Sequence, residues 1–144
     1  MIIAIDGPAG SGKSTTAKLI ANRLNIMHLD TGAMYRAVAY YILSHSVELS
    51  FLDDNSKINN ILNDIDIGFS KEENKILLNG QDVSSEIRKE DVSKIVSEVS
   101  ARRQVRDKMV QLQREIAIGN NIVLEGRDIG TRVFPDADLK IFLN

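Results

Sequence analysis

The chain has 144 residues, of which 43% are hydrophobic and 26% are charged, as in an ordinary globular domain with a real core. Its net charge of −2 gives no indication of broad, sequence-independent binding to nucleic acid or to anionic membranes. Cysteine is absent, which excludes disulfides and thiolate metal sites. Because residues 1–6 lack a basic signal-peptide start and no apolar run reaches spanning length, we expect a cytoplasmic protein.

The first predicted elements are a strand, a glycine-rich loop and a helix. The apolar residues 2–6 indicate a buried strand. Residues 7–14 read Gly-Pro-Ala-Gly-Ser-Gly-Lys-Ser, which is the phosphate-binding pattern G-x-x-x-x-G-K-S, or P-loop. Helical spacing of apolar residues follows from Lys13 to about Asn25. Since the pattern lies between a strand and a helix, we predict a nucleoside triphosphate site rather than a chance match.

The P-loop pattern assigns a role to its residues. Glycines let backbone N–H groups converge on an anion. Lys13 is expected to reach the β- and γ-phosphates, and the Ser14 hydroxyl to help bind Mg²⁺. The predicted nucleotide-binding residues are Gly7, Gly10, Ser11, Gly12, Lys13, Ser14 and Thr15.

A second strand and helix follow the first pair. Residues 27–29 are apolar and predict a short buried strand, and residues 30–32, Asp-Thr-Gly, are typical of a helix start. The next apolar residues return at helical spacing. This alternation of strands and helices predicts an α/β domain built on a parallel sheet.

The middle of the chain has a different pattern. A polar break at residues 53–56 predicts the cap of a short helix. Residues 65–69 alternate as in a strand, a polar turn follows at residues 71–74, and residues 76–78 are apolar. They precede Asn79-Gly80, the strongest short hairpin signal. We predict a small antiparallel ribbon inserted into the parallel-sheet domain, with an irregular loop as the alternative.

Helical spacing returns near Glu90. Two apolar stripes follow, and a kink or a break is predicted near residues 100–103, because the step between the stripes fits no helical period. Gly119 is expected to end the second helix. Residues 122–124 and 139–143 predict a third and a fourth buried strand.

The fourth strand is the last predicted element. An α/β domain normally covers such a strand with a following helix, and an uncovered apolar edge is usually avoided. We therefore expect this chain to be the N-terminal part of a longer protein, rather than a protein complete at residue 144. We also expect the exposed strand edge to cause self-association of this chain.

Two further segments lie at the carboxyl ends of predicted strands, where ligands collect in open parallel sheets. Residues 29–36 combine a helix N-terminus with Arg36, which suits a second phosphate. Residues 125–132 contain Arg127, which can bind a phosphate bidentately, and Glu125, which can orient water on Mg²⁺. Arginines near one P-loop indicate that two phosphorylated ligands are brought together for phosphoryl transfer.

Taken together, these segments resemble the bacterial cytidylate kinases, which transfer phosphate from ATP to CMP or dCMP. The matching stretches follow in order over essentially the whole chain, at residues 5–14, 29–36, 81–88, 125–131, 133–137 and 140–143. The resemblance implies the P-loop nucleoside monophosphate kinase fold. It implies a core at residues 1–44 and 89–144, with an acceptor-binding insertion at residues 45–88 that carries the antiparallel ribbon.

The resemblance also implies which residues bind phosphates. Lys13 and Ser14 serve ATP and its Mg²⁺, while Arg36 and Arg127 bind the CMP phosphate. The implied catalytic residues are therefore Lys13, Arg36 and Arg127. No general base is needed, because the acceptor phosphate is already ionised near neutral pH.

The implied acceptor pocket is lined by Thr31 and Tyr35. Ser97, Arg106 and Asp128 match the positions that bind cytosine. A carboxylate accepts from the cytosine 4-amino group, and Arg and Ser donate to O2 and N3. The alternatives are that Ser97 and Arg106 are exposed helix residues without a binding role, and that Asp128 caps the loop after the strand.

The implied partners are ATP and CMP or dCMP, with no nucleic acid or membrane, and the full-length enzyme is expected to be a monomer. Relatives continue beyond the fourth strand into an arginine-bearing lid. Two alternatives therefore stay open, a non-catalytic nucleotide-binding fragment and another small-molecule P-loop kinase. A GTPase is excluded, since no Asp-x-x-Gly occurs and Asn74-Lys75-Ile76-Leu77 lacks the guanine-binding acid. The isolated histidines, His28 and His45, are assigned structural roles.

Overall fold

The computed structural model describes residues 1–70 and 74–144. They form two compact units, Met1–Gly32 with Gln113–Asn144, and Ala33–Leu112. The predicted division into a P-loop core and an acceptor-binding insertion is a division by function, and it stays a prediction. Within the described residues, no helix combines the length and the apolar character that crossing a bilayer requires.

The described residues contain strands and helices in the alternation that the sequence predicts. The strands are β1 (Ile2–Asp6), β2 (Met27–Asp30), β3 (Ile67–Ser70), β4 (Lys75–Leu78), β5 (Gln81–Asp82), β6 (Ile122–Gly126) and β7 (Leu139–Phe142). The α-helices are α1 (Lys13–Leu24), α2 (Thr31–Ser44), α3 (Asn55–Asn63), α4 (Glu90–Ser100) and α5 (Arg103–Ala117). Single turns of 3₁₀ or π helix are found at Leu49–Asp53, Glu86–Arg88 and Ile129–Val133.

The first unit is built on a parallel sheet with the strand order β2-β6-β1-β7. In β6, Glu125 lies beside Ile5 of β1 on one side and beside Asp30 of β2 on the other. Helix α1 covers one face of this sheet through buried apolar side chains. That core contains Ile3, Ile5, Ala17, Ala21 and Val123. The predicted α/β class with a parallel sheet is confirmed.

Strand β7 corrects one expectation from the sequence. Residues 139–143 are predicted to be buried, but Leu139 is 49% exposed and Phe142 is 67% exposed. The reason is that β7 pairs only with β1, at one edge of the described sheet. Ile141 and Leu143, by contrast, pack against the core under α1.

The second unit contains the predicted antiparallel ribbon, with the strand order β3-β4-β5. Leu78 pairs with Gln81 across Asn79 and Gly80, which have φ values of 49° and 83°. Two consecutive left-handed residues form the tight hairpin turn that Asn-Gly favours. The ribbon is therefore confirmed, and the irregular-loop alternative is wrong. The predicted turn at residues 71–74 lies mostly outside the described residues.

Helices α3, α4 and α5 begin and end for local reasons that the sequence contains. The Asp54 carboxylate caps α3 by accepting from the backbone N–H groups of Ser56 and Lys57. Helices α4 and α5 are separated at residues 101–102, so the predicted break is confirmed. Helix α5 ends before Gly119, which has a φ of 72°.

Candidate functional site

The P-loop joins β1 to α1 in a conformation that exposes backbone N–H groups. Gly10 and Gly12 have φ values of 75° and 90°, a left-handed conformation that favours glycine. Gly12 is the N-cap of α1 and has no side chain with which to cap it. The first N–H groups of α1 are thus left for a ligand, and the helix dipole favours an anion there.

Hydrogen bonds hold the P-loop against itself and against β6. The backbone N–H of Gly7 donates to the carbonyl of Gly126 at 3.2 Å, and that of Ser11 donates to the Pro8 carbonyl at 3.2 Å. The same carbonyl accepts from Lys13 Nζ at 3.3 Å. The buried Ser11 hydroxyl has no partner within the part of the chain that the structure describes.

Glu125 is the centre of a buried polar cluster beside the P-loop. Glu125 is only 1% exposed, and its Oε1 accepts a hydrogen bond from Ser14 Oγ. Its Oε2 lies 2.6 Å from Nε2 of His28. Its backbone carbonyl accepts from Thr31 Oγ1 at 2.8 Å. One residue of β6 therefore connects the P-loop helix, β2 and the start of α2.

The environment of Glu125 keeps its carboxyl group ionised. Burial raises its pKa, but the hydrogen bonds from His28 and Ser14 and the positive charge of Lys13 outweigh this effect. The net result is a Glu125 pKa below its ordinary value. A negative charge is therefore present next to the Ser14 hydroxyl at neutral pH.

The side-chain oxygens of Ser14 and Glu125 suit a hard divalent cation such as Mg²⁺. A hydroxyl and a carboxylate are the hard oxygen groups that Mg²⁺ prefers. Among the described residues, no cluster of three or more His, Cys, Asp or Glu side chains is suited to hold a metal by itself. Phosphate oxygens and water would have to supply most of the coordination, as is usual for Mg²⁺ in nucleotide sites.

Asp6 holds the turn that follows β6. It is 7% exposed, and its two carboxylate oxygens accept from the backbone N–H groups of Ile129 and Gly130, each at 2.8 Å. The turn also receives hydrogen bonds on two of its carbonyls from Arg114 of α5. The Asp6 carboxylate thus restrains the segment that carries Arg127 and Asp128.

Arg127 and Asp128 lie directly after β6, next to the start of the P-loop. Arg127 is exposed, and no hydrogen bond or ion pair joins its guanidinium to another described residue. Asp128 is half-buried, and its carbonyl accepts from the backbone of Arg132 at 2.9 Å. The Arg127 guanidinium is available for a ligand.

The remaining predicted site residues belong to the second unit. Arg36 of α2 donates through Nη1 to the Ile87 carbonyl at 3.0 Å and to Ser93 Oγ at 2.9 Å. Ser97 is exposed one turn further along α4, and Arg106 is exposed on α5. These hydrogen bonds hold the Arg36 guanidinium against the Ile87 turn and the start of α4, in the same unit as Ser97 and Arg106.

The two units divide the predicted site residues between them. The first contains Gly7, Gly10, Ser11, Gly12, Lys13, Ser14, Thr15, Thr31, Arg127 and Asp128. The second contains Tyr35, Arg36, Ser97 and Arg106. Thr15 is exposed in the first turn of α1, and Tyr35 is half-buried on α2. The joining of both sets into one acceptor site stays a prediction.

Sequence reasoning missed two side chains at this site. His28 is predicted to be isolated, yet it contacts Glu125, and Asp6 is not selected although it holds the Arg127 segment. The only signal in the sequence is a polar residue inside, or at the end of, an apolar strand. Their partners are 97 and 123 or more residues away, so the contacts depend on strand pairing.

Similarity to known proteins agrees with this geometry. The family model described as cytidylate kinase matches residues 3–144. This chain belongs to the cytidylate kinase family. The resemblance seen in the sequence motifs is thereby confirmed.

Family members of known name are similar over nearly all of this chain. A cytidylate kinase of Chlorobaculum tepidum is 49% identical over 143 residues, which cover 99% of this chain and 60% of that protein. One from Lactobacillus johnsonii is 48% identical over 145 residues, covering 99% and 62%. A bifunctional pantoate ligase/cytidylate kinase of Prochlorococcus marinus (strain MIT 9301) is 51% identical over 145 residues, covering 99% and 28%. The chain thus spans about three fifths of the length of the two curated cytidylate kinases.

The Asp6 contacts predict a large effect from a small substitution. Asp6→Asn replaces one acceptor oxygen by an NH₂ group, which would face a backbone N–H of Ile129 or Gly130. We expect the free energy of unfolding to fall by about 1–3 kcal/mol, because one buried N–H loses its acceptor. Urea denaturation followed by circular dichroism measures this loss.

Asp138→Asn is the matched control. Asp138 accepts a single exposed hydrogen bond, from the backbone N–H of Ile2 at 2.7 Å, and an amide oxygen can replace that acceptor. Equal stability losses in the two variants would contradict the role given to the Asp6 carboxylate.

Proposed function

We propose that this chain carries the P-loop part of a kinase that transfers the γ-phosphate of ATP to CMP or dCMP, giving CDP or dCDP. The observation that carries the proposal is the P-loop itself, with an ionised Glu125 bound to Ser14 and the free Arg127 at the same sheet edge. The names of the relatives support cytidylate as the acceptor.

On the donor side, the P-loop N–H groups and Lys13 bind the ATP phosphates. Lys13 Nζ exchanges its contact with the Pro8 carbonyl for phosphate oxygens. Ser14 and Glu125 would hold Mg²⁺, which when bound neutralises charge on the β- and γ-phosphates. These groups act by position and charge, which is most of what phosphoryl transfer requires.

On the acceptor side, Arg36 and Arg127 bind the CMP phosphate, with Thr31 and Tyr35 lining the pocket. A guanidinium binds phosphate oxygens bidentately and stays charged at every accessible pH. The hydrogen bonds from Arg36 to the Ile87 carbonyl and to Ser93 hold its guanidinium in place before the acceptor binds. Two arginines reduce the repulsion between the anionic acceptor and the γ-phosphate.

The base is selected by Ser97, Arg106 and Asp128. Asp128 accepts from the 4-amino group of cytosine, whereas uracil has a carbonyl at that position. A polar site left unpaired by the wrong base discriminates more strongly than a difference in shape. This assignment favours CMP over UMP.

An acceptor panel tests the proposal. The chain is incubated with Mg²⁺ and ATP plus CMP, dCMP, UMP, AMP or no acceptor, and ADP formation is measured. We expect turnover with CMP and dCMP, and a loss of about 100-fold or more in Lys13→Ala, because one phosphate-binding charge is removed.

Lys18→Ala, an exposed lysine on the outer part of α1, is the control and should keep wild-type turnover. No turnover with any acceptor, with nucleotide binding retained, would favour the non-catalytic alternative. Transfer to a non-nucleotide acceptor would favour another small-molecule kinase.

A second prediction concerns Asp128. Asp128→Ala is expected to lower kcat/KM for CMP by about 10- to 100-fold, the cost of one good base contact. Asp128→Asn should raise kcat/KM for UMP relative to that for CMP, since an amide N–H can donate to the uracil O4. Steady-state kinetics with both nucleotides measure the ratio. Asp136→Ala, an exposed carboxylate of the same segment, serves as control, and indifference to both Asp128 variants would refute the base assignment.

We also propose a cytoplasmic location, which the absence of cysteine supports, and a monomeric full-length enzyme.

We further propose that the present chain self-associates through β7. Leu139 and Phe142 are exposed, and one edge of β7 pairs with no other described strand; both features support self-association. Sedimentation velocity at tens of micromolar should reveal dimers, and Leu139→Lys should reduce them. Leu19→Lys, at an exposed position on α1, is the control, and a clean wild-type monomer would count against the idea.

A further inference from the structure

One buried titratable side chain at the site has no role in the proposed reaction. His28 is 8% exposed, and its Nε2 lies 2.6 Å from Glu125 Oε2. Its other ring nitrogen, Nδ1, is buried and has no hydrogen-bond partner among the described residues. The imidazole therefore has a single polar contact, and that contact is with the carboxylate beside the P-loop.

The unpartnered Nδ1 indicates which nitrogen carries the proton. A buried N–H without an acceptor costs more than a buried lone pair without a donor, and a charged ring would leave such an N–H. The neutral ring protonated on Nε2 avoids this cost. His28 then donates to Glu125, which is the arrangement an ionised carboxylate requires.

We propose that His28 is a positioning residue for the Mg²⁺–nucleotide site, because it fixes one oxygen of Glu125 and so leaves the other for Ser14. The inference rests on the proposed nucleotide-binding function. It concerns the orientation of this chain's own side chains.

The geometry explains why such a residue is useful. A glutamate has three rotatable side-chain bonds, so a single hydrogen bond does not orient its carboxylate. The His28 contact holds Oε2, and Oε1 then accepts the one proton of the Ser14 hydroxyl. Once that proton is engaged, the Ser14 oxygen keeps its lone pairs for a cation, next to the negative charge of Glu125.

Strand register places His28 for this role. Asp30 of β2 is the direct neighbour of Glu125, and His28 lies two residues earlier on the same face of the strand. That face also contains Val123, which packs under α1. His28 therefore reaches Glu125 from the neighbouring strand β2, on the face of the sheet that α1 covers.

The test compares nucleotide binding with and without Mg²⁺, so it does not depend on phosphoryl transfer. A fluorescent, non-hydrolysable ATP analogue is titrated into the full chain in Mg²⁺ and again in EDTA. The ratio of the two dissociation constants is the Mg²⁺ gain. We expect His28→Leu to lower this gain by about 10-fold, the usual cost of losing an outer partner of a metal site. Binding in EDTA should change little.

Two further variants separate positioning from packing. His28→Gln places an amide N–H near the position of Nε2 and should restore most of the gain. His28→Asn is polar but too short to reach Glu125, and it should behave like His28→Leu. The His28→Gln and His28→Asn pair decides the question if the leucine variant does not fold. His45→Leu, an exposed histidine at the end of α2, should leave the gain unchanged.

A double-mutant cycle identifies the partner. In a Glu125→Gln background, His28→Leu should cause no further loss of the Mg²⁺ gain, because His28 acts through Glu125. A full Mg²⁺ gain in both His28→Leu and His28→Asn, equal losses with and without Mg²⁺, or additive losses in the cycle would each overturn the inference. If the wild-type chain shows the Mg²⁺ gain but does not phosphorylate CMP, only the proposed kinase function is refuted.

Discussion

The parallel pairing of β6 with both β1 and β2 is the constraint on which the site depends. It places Glu125 level with Ile5 and Asp30, and Gly126 level with Asp6. Because parallel strands end at the same edge, the P-loop and the turn after β6 emerge side by side. A shift of one residue would move Glu125 to the opposite face of the sheet, away from α1.

Two buried carboxylates at this edge have opposite orientations and different tasks. Glu125 accepts from side chains on the face covered by α1, whereas Asp6 accepts from the backbone of the turn after β6. A buried charge is costly unless hydrogen bonds satisfy it, and each carboxylate has two donors. These hydrogen bonds fix the Ser14 hydroxyl and the segment that carries Arg127, and the proposed chemistry requires both to be in position.

Local features of the fold follow from the sequence because they depend on residues close to each other. The P-loop is recognisable since Gly10 and Gly12 permit left-handed backbone next to a helix start. The Asn79-Gly80 turn, the Asp54 cap and the break after α4 have the same local origin. The burial of β7 was wrongly predicted, because apolar composition does not reveal whether a strand has a neighbour on both sides.

By itself, the sequence determined the α/β class, the P-loop, the ribbon and the family, since these are set by short motifs and periodicity. Only the tertiary structure decided that His28 contacts Glu125, that Ser14 donates to the same carboxylate, and that Asp6 holds the turn behind Arg127. These contacts join residues about a hundred positions apart. They arise from strand order and register, which depend on how the whole sheet assembles and are not encoded in the spacing of any single segment.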